Sequence, residues 1–223
     1  MNKVVITGAS AGIGLAAAKY FLARNWTVIM ADKIENRRVF DSLKSLYREN
    51  VFFVKCDVSK NPDVKHLFSE TVKLIDRVNC VVNNAGIIAH GLLHEADEDE
   101  WDKVMDTDVK SIFLTSKYFI PLMIENGGGT IVNTASISGI AADYEMPVYN
   151  AAKGAVVNLT RAMALDYAEF NIRVNSVCPG AVNTEMLNPD NIPKYAAANP
   201  MKRICEPEAV SYTHLTLPTN SLV

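Results

Sequence analysis

The sequence predicts a single α/β domain, a doubly wound parallel sheet with helices on both faces. Three observations predict it. Short β-branched runs alternate with longer segments of helical period, which is the pattern of parallel strands covered on both sides. The chain has 223 residues, 49% of them hydrophobic, enough for one sizeable core, and no compositional break marks a second domain. A Gly-rich turn, Thr7-Gly8-Ala9-Ser10-Ala11-Gly12-Ile13-Gly14, joins the first apolar run to the first apolar helical segment.

Taken in order, strands are expected at 4–7, 27–31, 51–55, 80–83, 130–134 and 173–177. Apolar residues recur at helical spacing over 13–24, 63–75, 98–124 and 148–170, and Gly127-Gly128-Gly129 breaks the chain before the fifth strand. There is no internal repeat and no low-complexity segment. Residues 181–200, punctuated by Pro189, Pro193 and Pro200, read as a lid or surface loop.

Composition excludes several classes. The formal net charge is -3, from 22 basic and 25 acidic residues, and their interspersion leaves no positive block for a nucleic acid or a membrane surface. No run approaches the roughly 20 apolar residues of a bilayer span. The opening Met1-Asn2-Lys3-Val4 leads straight into a strand rather than a cleavable signal, so a cytoplasmic protein is expected. Cys56, Cys80, Cys178 and Cys205 form no Cys-x-x-Cys pair and are expected as reduced thiols. His90 and His94 lack the partners of a ligand set, and no metal is expected; His90 falls on the substrate side as a solvated loop histidine.

The Gly turn has the chemistry of a pyrophosphate site. Glycine lets the backbone approach the anion, and the following helix N-terminus offers free N–H groups and a positive dipole end. Asp32 follows the second strand, where a carboxylate accepts hydrogen bonds from both ribose hydroxyls of NAD and repels the 2′-phosphate of NADP; Lys33 beside it softens that repulsion. NAD is therefore expected ahead of NADP. Tyr149 and Lys153 lie four apart on an expected helix and share one face. A free tyrosine titrates at about 10, but an adjacent ammonium and an oxidised nicotinamide both favour its phenolate, which suits proton transfer. Ser136, at the end of the fifth strand, is placed to hydrogen-bond a substrate oxygen while the hydride moves at carbon.

The three residues between Gly8 and Gly12 depart from the common dinucleotide fingerprint. Together with Asp57-Val58, Asn83-Asn84-Ala85-Gly86, Ser136, Tyr149-x-x-x-Lys153 and Pro179-Gly180 leading to Thr184, this spacing resembles the short-chain dehydrogenase/reductase family. The resemblance covers residues 1 to about 210 in family order. It implies a Rossmann-like fold and transfer of a hydride between a nicotinamide cofactor and a small secondary alcohol or ketone. It further implies a cofactor site made of Gly8, Ser10, Gly12, Ile13, Gly14, Asp32, Asp57, Val58, Asn84, Ala85, Gly86, Tyr149, Lys153, Pro179, Gly180, Val182 and Thr184. Within it, Asp57 and Val58 would bracket the adenine and Thr184 would reach the carboxamide. Ser136, Tyr149, Lys153 and Asp108 would be catalytic. The helices near 98–124 and 148–170, with Phe113, Tyr118, Phe119 and Leu165, would form the interface of a homodimer or homotetramer.

Two departures stand out. Where the family has an asparagine supporting a water behind the lysine, this chain has Asp108, which lacks the amide donor and carries charge. Glu206 to Val210 open as another helix of the family, but residues 211–223 show neither helical period nor the family's closing strand. They are read as a foreign tail on a domain of residues 1–210, leaving the last strand missing and an edge of the sheet unpaired. Two alternatives to the alcohol oxidoreductase remain: an NADPH-dependent reductase of 3-oxoacyl thioesters, disfavoured because Ala11 lacks a basic side chain, and a cofactor-binding protein without turnover. The substrate itself would be set by the shapes of 87–95 and 181–200.

Overall fold

Six parallel strands form one sheet, β1 (Lys3–Thr7), β2 (Thr27–Asp32), β3 (Val51–Lys55), β4 (Cys80–Asn83), β5 (Gly129–Thr134) and β6 (Ile172–Val177), in the order β3-β2-β1-β4-β5-β6. The computed structural model describes residues 1–216. Val5 pairs with Ile29 on one side and Val81 on the other, so β1 is central and the winding reverses between β1 and β4. The loops leaving those two strands diverge there, which opens a crevice at their carboxyl ends.

Both faces of the sheet are buried, which is why its strands read as unbroken apolar runs. On one face Val4, Ile6, Val28 and Met30 pack against Ala17, Phe21 and Leu22 of α1 (Gly12–Leu22) and Leu43 of α2 (Arg37–Tyr47). On the other, Val5, Ile29, Val81 and Ile131 meet Leu67 of α3 (Asn61–Leu74), Phe119 and Met123 of α5 (Ser111–Glu125) and Val156 of α6 (Pro147–Asp166). Neighbouring residues of one strand thus serve opposite layers.

A polar chain runs through this second layer. Thr115 Oγ1 donates to Asn83 Oδ1 at 2.8 Å, Asn83 Nδ2 to Asn133 Oδ1 at 2.9 Å, and Asn133 Nδ2 to Thr160 Oγ1 at 2.9 Å. It ties α5, β4, β5 and α6 together near the carboxyl ends of the strands, and every member is buried.

The structure corrects the sequence expectations in four places. The expected helix over 98–124 is α4 (Glu98–Val104), then a π-helical turn at Met105–Lys110, then α5; the inserted turn redirects the backbone at Asp108. Residues 37–47, given no element from the sequence, form α2, whose single buried residue, Leu43, leaves too thin an apolar stripe to stand out. The segment 181–200 is not wholly loop: α7 (Ile192–Ala198) lies within it. Residues 211–216, expected to lack helical structure, continue α8 (Pro207–Thr216). Ser211 is buried there and Tyr212 meets Tyr20 edge-on with centroids 6.1 Å apart. Residues 217–223, the rest of the expected tail, lie outside the described residues. Among the described residues the sheet ends at β6.

The polar chain yields a prediction. Thr115→Val keeps the shape but strips Asn83 Oδ1 of a buried donor, and should lower stability by about 1–3 kcal/mol in urea denaturation.

Candidate active site

The Gly turn is shaped by contact with the first residues after β4. Gly8 has φ +64°, and a Cβ there would lie 2.9 Å from Ala85 Cα. A Cβ on Gly14 would lie 2.1 Å from the Gly8 carbonyl oxygen, so helix and turn close to a distance that only glycine allows. Asn84 locks the arrangement: its Nδ2 donates to the carbonyls of Thr7 and Gly8, each at 3.2 Å, while Thr7 Oγ1 accepts from the Asn84 and Ala85 N–H groups at 3.0 and 3.1 Å. No side chain caps α1 at Ala11. Its first N–H groups, those of Gly12, Ile13 and Gly14, have no intrahelical partner, and the dipole end faces the crevice. This cradle fits a pyrophosphate.

Asp32 is fixed at the end of β2. Its Oδ2 accepts from the Ser10 N–H at 3.0 Å and its Oδ1 from the Ile34 N–H at 3.2 Å, and Ser10 Oγ donates to the Ile34 carbonyl at 2.7 Å. Asp57 lies after β3 and accepts from the N–H and hydroxyl of Ser59. Burial works against its charge, but the Ser59 hydroxyl and N–H hold its carboxyl below the ordinary value. Val58 is buried in the core with Val54 and Val64, so its side chain packs the sheet. Thr184 faces the turn, its Cγ2 3.1 Å from where a Cβ on Gly12 would stand. Val182 pairs with Cys205 and packs near Ile13. The Pro179 carbonyl accepts from the Ile137 N–H at 3.0 Å, and Gly180 lies over the Ile137 side chain.

Ser136, Tyr149, Lys153 and Asp108 gather where β5 ends against α6. Lys153 Nζ donates to the Thr134 carbonyl at 2.9 Å and lies 3.0 Å from Asp108 Oδ2, the latter an ion pair off the line of a good hydrogen bond. Asp108 Oδ1 accepts from the Ile87 N–H at 2.8 Å. Both side chains are out of water. Burial alone would weaken the Lys153 ammonium, but Asp108 and Tyr149 outweigh it and hold its pKa above that of ordinary lysine. Burial pushes the Asp108 carboxyl up, and Lys153 and the Ile87 N–H offset this only in part. The Tyr149 ring centroid is 5.6 Å from Lys153 Nζ, and among the described residues its hydroxyl has no protein hydrogen-bond partner. Gly86 closes over the pair, since a Cβ there would come within 2.9 Å of Asp108 Oδ2.

Ser136 caps a 3-10 turn, Ile137–Gly139, and accepts from the Ser138 N–H at 3.2 Å. That turn presses on α6 at Lys153, whose carbonyl oxygen would lie 2.5 Å from a Cβ on Gly139, so Ser136 sits against the helix that carries Tyr149. The structure therefore gathers Ser136, Tyr149, Lys153 and Asp108 at one end of β5, with the Gly turn across the crevice. Sequence reasoning missed Thr7 and Thr134, which hold Asn84 and Lys153 through backbone and hydroxyl groups, and Ser138 and Asp143, which continue from Ser136. Thr7 opens the Gly turn but its hydroxyl carries no motif of its own, the other three belong to none, and only the fold brings them to the site.

A family model described as short chain dehydrogenase matches residues 2–194. The chain is 40% identical over 214 residues to the meso-2,3-butanediol dehydrogenase of Serratia marcescens, covering 94% of this chain and 84% of that one. Among solved structures it resembles a 3-ketoacyl-(acyl-carrier-protein) reductase from Brucella melitensis complexed with NADH, at TM-score 0.91 and 28% identity over 100% of this chain and 93% of the other. It also resembles the L-sorbose reductase of Gluconobacter frateurii complexed with NADPH and L-sorbose, at TM-score 0.89 and 26% identity over 96% and 88% of the two chains.

The buried ion pair sets a stability test. Asp108→Ala leaves the Lys153 ammonium buried with the Thr134 carbonyl alone and should cost about 3–5 kcal/mol. The double variant Asp108→Leu/Lys153→Met should recover most of that loss in urea denaturation.

Proposed function

Because this chain belongs to the short-chain dehydrogenase/reductase family and is thereby an oxidoreductase of alcohols and ketones that uses a nicotinamide cofactor, we propose that it oxidises a small secondary alcohol with NAD. The observation that carries this reading is Lys153, held between the Thr134 carbonyl and Asp108 below the Tyr149 ring. When bound, the nicotinamide supplies the hydride acceptor in oxidation and the donor in reduction.

The chain's own groups do the rest. The N–H groups at the start of α1 hold the pyrophosphate, Asp32 the adenosine ribose, and Thr184 the end near the carboxamide. Asp57 flanks the adenine, with Val58 contributing backbone. Ser136 orients the substrate oxygen, and Tyr149 takes the hydroxyl proton in oxidation or gives it back in reduction. Lys153 stays charged beside it. Asp108 neutralises Lys153 and takes the place of the family's asparagine.

Asp32 supports NAD over NADP, because its carboxylate would face a 2′-phosphate at close range. We place the protein in the cytoplasm; among the described residues no helix is long and apolar enough to cross a membrane. A second copy would cover Phe113 on α5 and Leu165 on α6, apolar residues left 55% and 67% exposed. A second reading, reduction of a 3-oxoacyl thioester with NADPH, draws on the likeness to the Brucella reductase; Ala11 and Asp32 weigh against it.

The test is reduction of NAD at 340 nm against a panel of secondary alcohols that includes meso-2,3-butanediol. Turnover is expected, and Tyr149→Phe should lower kcat by about 10²- to 10⁴-fold while NAD still binds. Cofactor binding without turnover on any alcohol or ketone would defeat the reading. Asp32→Ala should move the NADP-to-NAD ratio of kcat/KM up by about tenfold or more, as relief of a like-charge contact requires.

A further inference from the structure

The loops that leave β4, β5 and β6 border the crevice, and they share two properties that hydride transfer by itself does not require. The first is an apolar rim. Ile137 stands between Ser136 and Ser138, both buried, yet its own side chain is 46% exposed. Its N–H donates to the Pro179 carbonyl at 3.0 Å, and its Cδ1 lies 3.6 Å from where a Cβ on Gly180 would stand, so it fills the space between Ser136 and the loop after β6. Ile140, whose N–H donates to the Ile137 carbonyl at 2.9 Å, is 68% exposed. The loop after β4 joins this side where the Gly91 N–H donates to the Glu145 carbonyl at 2.8 Å; Leu92 and Tyr144, next to that junction, are also exposed. Met186, exposed as well, lies two residues beyond Thr184, which faces the Gly turn. Single exposed apolar residues are ordinary on a protein surface, but here they recur on all three loops beside one site, which marks a ligand-binding surface.

The second property is charge. Residues 87–97, 136–150 and 179–193 contain no lysine or arginine, whereas Glu95, Asp97, Asp143, Glu145, Glu185 and Asp190 all fall within them. Their basic groups are two histidines, His90 and His94, and His94 Nε2 lies 3.9 Å from Glu95 Oε1. Asp143 accepts from the Ser138 hydroxyl, two residues from Ser136, and Glu185 Oε2 lies 3.9 Å from where a Cβ on Gly12 would stand. The ammonium of Lys153 is buried and already paired with Asp108. A carboxylate, phosphate or sulfonate on the substrate would therefore meet like charge and find no cation to answer it.

We propose that the substrate is an uncharged secondary alcohol whose non-reacting substituent is apolar and packs on Ile137 and Ile140. This rests on the reading of the site as an alcohol oxidoreductase with the substrate oxygen at Ser136 and Tyr149, and it deepens that reading by naming the substrate class. Hydroxy acids and acyl groups carried on phosphate-bearing thiols are excluded by the same loops. An apolar substituent gains from leaving water wherever it lies on these side chains. A polar substituent in the same place loses its hydration without a partner.

The experiment measures kcat/KM of the whole protein with NAD on three alcohols of nearly one shape. They are 4-methyl-2-pentanol, 3-hydroxybutyramide and 3-hydroxybutyrate, whose variable ends are isopropyl, amide and carboxylate. The branched alcohol is expected to exceed the amide by about tenfold or more, and the amide to exceed the carboxylate by about three- to tenfold. Ile137→Asn should reduce the first ratio to about threefold or less and leave the second within about twofold. The double variant Glu145→Gln/Glu185→Gln should narrow the second ratio and leave the first. Comparing each ratio with that of the wild-type protein cancels the intrinsic reactivity of the alcohols. Ile137→Thr, closer to isoleucine in shape, should move the first ratio in the same direction, and fluorescence of bound NADH reports that each variant is folded. An amide or carboxylate used as well as the branched alcohol, or a first ratio that neither substitution at Ile137 alters, overturns this inference while the oxidoreductase reading stands. Cofactor binding without turnover on any secondary alcohol or ketone overturns both.

Discussion

An ammonium group removed from water constrains more of this structure than any other single feature. Burying an isolated charge costs several kcal/mol even after relaxation, so Lys153 is tolerable only where an anion and a carbonyl meet it. The anion is Asp108 and the carbonyl is that of Thr134, one from the turn between α4 and α5 and the other from the last residue of β5. A regular helix through 98–124 would carry its residues past β5 at fixed spacing. The π turn at Met105–Lys110 gives the chain an extra residue there, consistent with the use of such turns to aim a side chain at a functional site. Gly86 follows from the same demand, since any side chain would collide with Asp108.

The polar chain from Thr115 through Asn83 and Asn133 to Thr160 plays a complementary part. Asn83 and Asn133 lie one residue before Asn84, which follows β4, and Thr134, which ends β5, so both are held in fixed positions. A fully satisfied buried network specifies one arrangement, while a slipped register would strand its amides without partners. Asn84 then carries that order across to the Gly turn through the Thr7 and Gly8 carbonyls. The nucleotide side and the proton-transfer side of the crevice are therefore joined by residues that touch neither reacting atom.

What could be read from the sequence follows from how local each signal is. Both-face burial makes a parallel strand a dense apolar run, so all six strands were legible to within a residue or so. Gly8, Gly12 and Gly14 were legible because a close backbone approach leaves no alternative residue, and Tyr149 with Lys153 because a helix fixes their spacing. Helix α2 was not, since Leu43 alone is buried. The π turn was not, because it keeps the apolar stripe on either side of it and alters only the path between. The continuation of α8 past Val210 was missed for a related reason: Ser211 is polar by type, yet it is buried and donates to the Pro207 carbonyl within its own helix. Ser138 and Asp143 gave no sign because only the fold brings them beside Ser136.

Asp108 shows how one substitution can preserve geometry while changing electrostatics. An asparagine would accept the Ile87 N–H and face Lys153 with comparable size, so the backbone and Gly86 need not move. The carboxylate, however, leaves the Lys153–Asp108 pair with no net charge when both are ionised. At a distance such a pair acts on Tyr149 as a dipole rather than as a single positive charge, and its influence falls off more steeply. Groups farther along the crevice therefore gain little from Lys153. On the proposed reading of the site, phosphate recognition then rests on the uncapped N–H groups at the start of α1.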